Sequence, residues 1–194
     1  MFTRFILSVI SFIFVGNSYG KVFTIDKEHT NVGFTVKHLM ISKVRGHFKS
    51  FTGIVDFNIE NKSFKKMDAN IMVQSIDTNE KERDTHLLSA DFFNLKNPQD
   101  MIKFSMKSYS KKDNEQGVAK GILEIRGIKK EVELNIKIGG IATDPWGNER
   151  FAFEAMGKIN RNDFGLKWNK AIETGGVLVD SIVEIVIEAQ GIAK

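Results

Sequence analysis

Strict alternation is the feature that most constrains this chain. Over residues 31–38, Val32, Phe34, Val36 and His38 fall on one side, with Asn31, Gly33, Thr35 and Lys37 on the other. Over residues 51–60 the rule returns. Phe51, Gly53, Val55, Phe57 and Ile59 oppose Thr52, Ile54, Asp56, Asn58 and Glu60, with Ile54 the one apolar exception. Successive side chains of a strand point to opposite faces, so each run predicts a half-buried β-strand. One apolar face, one polar face and a short link predict antiparallel meander.

The pattern continues along the chain. Residues 21–26 predict a short strand and 26–29 a turn. Residues 44–48 predict a further extended piece, with Gly46 as a bulge or bend. Residues 67–76 place Ala69, Ile71, Val73 and Ser75 inward. After a gap, Ile102, Phe104 and Met106 face one way. Residues 118–126 pair through a turn at Gly127 with 128–138, whose Val132, Leu134, Ile136 and Ile138 face in. Gly139-Gly140 and residues 144–148 predict a longer loop. Residues 150–159 carry Phe151, Phe153, Ala155 and Gly157 inward. Residues 160–169 predict a loop or short helical turn. Residues 177–190 form the last strand, with Val179, Ser181, Val183, Ile185 and Ile187 on one face.

One segment breaks the period. Residues 78–89 are rich in helix formers, with Asp77, Thr78 or Asn79 to cap them and Glu80 and Glu82 near the positive end of the dipole. Its strong apolar residues are Leu87 and Leu88, so it predicts a surface helix docked at one end, with Phe92 or Phe93 plugging an edge or mouth of the sheet. About eight strands and one helix predict an all-β sandwich or barrel. An eight-stranded barrel is just wide enough to hold one small ligand.

The ends set the compartment. Arg4 precedes an uncharged apolar run at 5–15, and Ser18 and Gly20 are small residues at the spacing a signal peptidase needs. Residues 1–20 therefore predict a signal peptide cleaved between Gly20 and Lys21. Residues 21–194 predict a single domain, periplasmic or secreted. The run is shorter than the about 20 residues that span a bilayer, so no stable membrane insertion is expected. The chain has no cysteine, which excludes disulfides, a thiol nucleophile and thiolate metal sites. Its net charge of +4 is dispersed in doublets such as Lys65-Lys66, Lys111-Lys112 and Lys129-Lys130. These fit turns and protected edges rather than nucleic acid binding.

Five pieces, in order, resemble the YceI-like family, exported lipocalin-like proteins that bind polyisoprenoid lipids. They are Asp26-x-x-His29-Thr30-x-Val32-x-Phe34-x-Val36-x-His38; Val44-Arg45-Gly46-x-Phe48 with Phe51-x-Gly53; and the charged run leading into His86-Leu87-x-Ser89-Ala90-Asp91-Phe92-Phe93. Gly121-x-Leu123-x-Ile125-Arg126-Gly127-Ile128 and Asn160-Arg161-x-Asp163-Phe164-Gly165-Leu166-x-Trp168-Asn169 complete the set. The resemblance implies an extended eight-stranded antiparallel barrel with one packed helix. It also implies a long apolar tunnel and a bound polyprenyl phosphate or isoprenoid quinone, with dimers common. It carries no catalytic residues and no required cofactor.

From alternation alone, the inward phenylalanines fill a solid core or line a hollow one. Inward Gly53, Ala69, Ala155, Gly157 and Ser181 leave room along the axis. With the resemblance, the tunnel wall is assigned to Val32, Phe34, Val36, Val55, Phe57, Ile71, Val73, Phe92, Phe104, Met106, Leu123, Leu134, Ile136, Phe151 and Phe153. His38, Arg161, Asp163 and Trp168 are assigned to its mouth, where a phosphate or quinone oxygen would sit. His29, His38, His47 and His86 lack the spacing of metal ligands. No Gly-x-Ser-x-Gly occurs and the strand carboxylates face outward, so an enzyme acting on an isoprenoid or lipid-like amide is the weaker reading. A third reading is a dimeric interaction module with a filled barrel. Leu178, Ile182 and Val186 alternate on the outer face of the last strand and fit a homodimer contact.

Overall fold

A computed structural model describes residues 20–171 and 176–194. The export segment read at residues 1–20 lies, apart from Gly20, outside them. Eleven antiparallel strands follow one another: β1 (Lys21–Ile25), β2 (Asn31–His38), β3 (Ser42–Phe48), β4 (Phe51–Asn58), β5 (Ser63–Met72), β6 (Ile76–Asp77), β7 (Met101–Lys111), β8 (Gln116–Ile125), β9 (Ile128–Thr143), β10 (Glu149–Asn160) and β11 (Val179–Ala193). Helix α1 (Lys81–Leu88) lies between β6 and β7.

Eight strands close a barrel in the order β1-β4-β5-β7-β8-β9-β10-β11, and β11 returns to β1. The length of β11 makes this possible. Its final residues pair with β1 at Gly191–Ala193, while Val179 to Glu188 pair with β2. Strands β2, β3 and β6 thus form a flap that extends the wall beyond β1. Closure leaves no free edge along β1, which is how all-β folds avoid edge-to-edge aggregation.

Local differences from the sequence expectation have physical causes. Strand β5 ends at Met72 and Val73 enters a 3-10 turn (Val73–Ser75), held by the Ser75 hydroxyl, which donates to the Met72 carbonyl at 2.7 Å. Gly139-Gly140 is not a loop. Strand β9 runs through it with a bulge, since Ala152 faces Gly140 while Phe153 faces Ile138. Gly46 is not bulged: it faces Phe34 in regular register. A Cβ there would lie 2.4 Å from the Phe34 ring, so glycine is needed for close approach. The helix is shorter than 78–89, and its cap is Glu80. That carboxylate accepts the Glu82 and Arg83 backbone N–H groups at 3.1 and 2.6 Å. Asp84 takes both polar groups of Thr78 instead.

The interior has two unlike halves. At the end holding the β4–β5, β7–β8 and β9–β10 turns, phenylalanines pack solid. Phe57 stacks on Phe151 at 4.2 Å between centroids, and Phe64 meets Phe57, Phe153 and Tyr109 at 5.0, 5.4 and 5.0 Å. The opposite end, below α1 and the β10–β11 connection, is hollow.

An ion network pins the solid end. Arg150 donates through Nε to Asp144 Oδ2 at 2.8 Å. Its Nη1 donates to Asp26 Oδ2 and Gln190 Oε1, both at 2.7 Å, tying β1, the β9–β10 loop and β11 together. Burial alone would push the Asp144 carboxyl up. Hydrogen bonds from Arg150, Asn148 and the backbone N–H groups of Asn148 and Trp146 outweigh it and hold the carboxyl at about 2. The Arg150 hydrogen bond likewise lowers Asp26. A carboxyl lowered in the folded state adds stability above its ordinary value, and that stability is lost as pH falls through the folded value. The urea midpoint is therefore expected to drop between about pH 4 and pH 2. Asp144→Asn will be less stable at pH 7 but flatter across that window. An unchanged acid profile in Asp144→Asn would rule the network out as its origin.

Candidate functional site

The hollow end holds a cavity of about 210 Å³. A dry apolar cavity of about 150 Å³ already binds benzene. Ten of the side chains assigned to the wall from sequence meet there: Val32, Phe34, Val36, Val55, Ile71, Phe92, Phe104, Leu123, Leu134 and Phe153. Four others do not. Phe57, Ile136 and Phe151 are buried in the aromatic packing at the solid end, and Met106 sits beside it, just before a bulge at Lys107 that shifts the register of β7. The fifth exception, Val73, is buried beneath its 3-10 turn, because the strand has already ended.

Ile102, Val132, Ile185 and Ile187, read as inward from the alternation, line the cavity as well, whereas others carried no such signal. Phe48, Ile76, Leu87 and Leu166 come from the flap, the helix and a turn, and reach the cavity only once the chain closes. The small inward residues divide between the two halves. Ala69 and Ala155 do widen the cavity. Gly53 lines it too, with Ile25 close against it, whereas Leu134 fills the space at Gly157 and Ser181 is not among the lining residues.

Among the four mouth residues, Arg161 alone lines the cavity. It opens a 3-10 turn (Arg161–Phe164) and is 4 % exposed. Its guanidinium is held by backbone carbonyls. Nε donates to Asp180 at 2.8 Å, Nη1 to Trp168 at 2.9 Å and to Leu166, and Nη2 to Val179 at 3.2 Å. The Val179 and Asp180 carbonyls are open to it because β11 slips register against β2 between Val179 and Val183. Burial pushes the Arg161 guanidinium down, with Asp180 acting against that. Five N–H donors less these four bonds leave one on Nη2.

Trp168 packs instead on His86 and Phe92, at 4.8 and 5.3 Å, joining the β10–β11 connection to the helix segment. His86 Nε2 meets Asp91 Oδ2 at 2.8 Å, a local staple. Asp163 is exposed on its turn and His38 pairs with Val179 at the end of the flap, so neither reaches the cavity. His29 Nδ1 is 2.8 Å from Asp26 Oδ2. Among the described residues, no three His, Cys, Asp or Glu side chains gather. Ile182 is 40 % exposed on the outer face, flanked by half-buried Leu178 and Val186.

A closed eight-stranded antiparallel barrel around an apolar cavity belongs to the lipocalin-like class of barrels. Residues 23–191 match the YceI-like domain, and the chain belongs to the YceI-like family. It is 37% identical over 182 residues to protein YceI of Salmonella newport, covering 92% of this chain and 91% of that one. The crystal structure of the Campylobacter jejuni YceI protein superposes with a TM-score of 0.71 at 38% identity, covering 87% and 96% of the two chains. A polyisoprenoid binding domain from Saccharophagus degradans shares the fold at 11% identity, with a TM-score of 0.64 over 89% and 98%. No described helix is long and apolar enough to cross a membrane.

Proposed function

We propose that the cavity holds the hydrocarbon chain of an isoprenoid lipid, a polyprenyl phosphate or an isoprenoid quinone, for carriage, storage or sensing. The observation that carries this is a cavity with almost wholly apolar walls and one buried cation, Arg161. The apolar chain is retained by burial, at about 0.8 kcal/mol per CH2. The remaining Nη2 N–H of Arg161 donates to an oxygen at the polar end. The Saccharophagus degradans domain, which binds polyisoprenoid, supports the same use of the same fold. In this reading the chain is exported and processed between Gly20 and Lys21, and copies pair through the outer face of β11.

Purified protein extracted with organic solvent is expected to release a prenyl compound, by mass spectrometry, at near one per chain. Ala155→Trp, which places a large ring in the cavity, is expected to keep the far-UV dichroism and release none. Recovery of no lipid from the parent protein, or equal recovery from Ala155→Trp, sinks the proposal.

A further inference from the structure

The tip of the flap breaks two rules at once. Leu39, Met40 and Ile41 link β2 to β3 as a three-residue turn, with His38 paired to Ser42. Leu39 and Met40 both have positive φ, 53° and 63°. Asparagine and glycine adopt that backbone cheaply; leucine and methionine do not. The same residues are apolar and stand in solvent: Ile41 is 86 % exposed and Met40 47 %. The Leu39 N–H donates to the Leu178 carbonyl at 2.8 Å, which brings Val177, 37 % exposed, beside them. A turn chosen for folding would carry neither the strain nor the apolar side chains.

The two strands that carry the tip are one-sided in charge, with Asp180 and Glu184 of β11 beside their lysines. Residues 29–55 contain no Asp or Glu but carry Lys37, Lys43, Arg45 and Lys49. Lys37 and Lys43 are direct cross-strand neighbours, a like-charge pairing that weakens a sheet. Glu184 answers Lys43 at 3.0 Å and Lys158 at 3.7 Å. Lys37 and Arg45 are exposed and form no ion pair among the described residues. Apolar side chains at a tip, with cations just behind, match the order of a bilayer surface: acyl chains below, anionic headgroups above.

We infer that the β2–β3 tip docks reversibly on an anionic lipid bilayer, with Leu39, Met40 and Ile41 entering the acyl boundary and Lys37 and Arg45 meeting headgroup phosphates. Val179, which lines the cavity, pairs with His38 next to the tip, and Val36, which also lines it, lies two residues before His38. Docking there sets the hollow end of the barrel against the membrane. The docking itself does not depend on what the cavity holds.

The test is flotation of the protein beginning at Lys21, which contains every strand of the barrel, with phosphatidylglycerol–phosphatidylcholine vesicles. The parent is expected to float, and less so as salt shortens the screening length from about 10 to about 3 Å. The triple variant Leu39→Asn, Met40→Gly, Ile41→Thr is expected to melt at higher temperature, because the turn is relieved, yet to lose roughly tenfold or more in vesicle affinity. Lys37→Glu with Arg45→Glu is expected to weaken binding to anionic vesicles while leaving the fold intact. Trp146→Ser, at the opposite end of the barrel and 81 % exposed, is expected to bind like the parent. Failure of the parent to float, or flotation of the triple variant equal to the parent, overturns the inference. So does a parent that self-associates through this tip, seen as a change of mass in the triple variant by light scattering. Lipid extraction from the cavity reads out separately, so loss of docking with lipid retained separates the two proposals.

Discussion

Replacing Phe151 by alanine is expected to lower the unfolding free energy by about 3–5 kcal/mol, against a total of about 5–15 for a domain of this kind. Phe151 is 1 % exposed and its ring touches four others: Phe57 at 4.2 Å, Phe23 at 5.3 Å, Phe153 at 5.6 Å and Phe64 at 5.7 Å. Those rings are held by the barrel wall and cannot collapse into the gap, so the transfer loss and the cavity add. The informative comparison is Phe104→Ala. Phe104 is 7 % exposed, nearly as buried, but one side of it faces the cavity. A ring with no partner atoms on one side has fewer contacts to lose, so truncation is expected to cost roughly 1 kcal/mol less or better. Urea unfolding of delipidated protein measures both, with the m-value confirming that the two variants unfold alike. Equal costs at the two positions would mean that the interior is not divided into a solid and a hollow half.

That division marks where the sequence stops being legible. Alternation reports which face a residue takes, because the strand period is two. It says nothing of depth along the axis. Phe57 and Phe153 are both inward by the same pattern and both stack on Phe151, yet Phe153 also reaches the cavity and Phe57 does not. Depth depends on the tilt and stagger of all eight strands, a property of closure rather than of any segment. The same holds for the flap. That β11 serves β1 with one end and β2 with the other follows from its length and register, which no local pattern encodes. The fold class was readable because eight strands each carried the signal; the cavity floor was not.

Irregular backbone was the other blind spot. Alternation carries its period through Val73 to the point where the Ser75 hydroxyl turns the chain, so it cannot show that the strand has ended. Gly139-Gly140 read as a loop because two glycines usually punctuate, whereas here they sit in a bulged strand. Arg161 was placed at the mouth for the charge it could offer a ligand. The structure spends four of its donors on carbonyls that a register slip in β11 leaves open.

Those carbonyls make Arg161 the position where a single substitution outside the aromatic cluster should do most harm. Arg161→Met keeps the stem and removes the guanidinium. The carbonyls of Leu166, Trp168 and Asp180 then lose the donor Arg161 gave them together, while that of Val179 keeps Asn169 Nδ2 at 2.7 Å. A buried acceptor left unpaired costs about 1–3 kcal/mol, so the loss is expected to reach several kcal/mol unless the connection opens to water. Opening is the cheaper outcome, because loops can rearrange where a barrel wall cannot. The β10–β11 connection should therefore come away from α1, and Trp168 should leave His86 and Phe92. With Trp146 replaced by phenylalanine to remove the other indole, the emission of Trp168 is expected to shift to the red in Arg161→Met while the barrel still unfolds cooperatively. Arg161→Lys is not expected to restore it. An ammonium is a compact point donor, and it cannot span four carbonyls that the planar fork reaches at once. Blue-shifted Trp168 emission and parental stability in Arg161→Lys would show that charge alone suffices there, and that the fork geometry does not hold the connection.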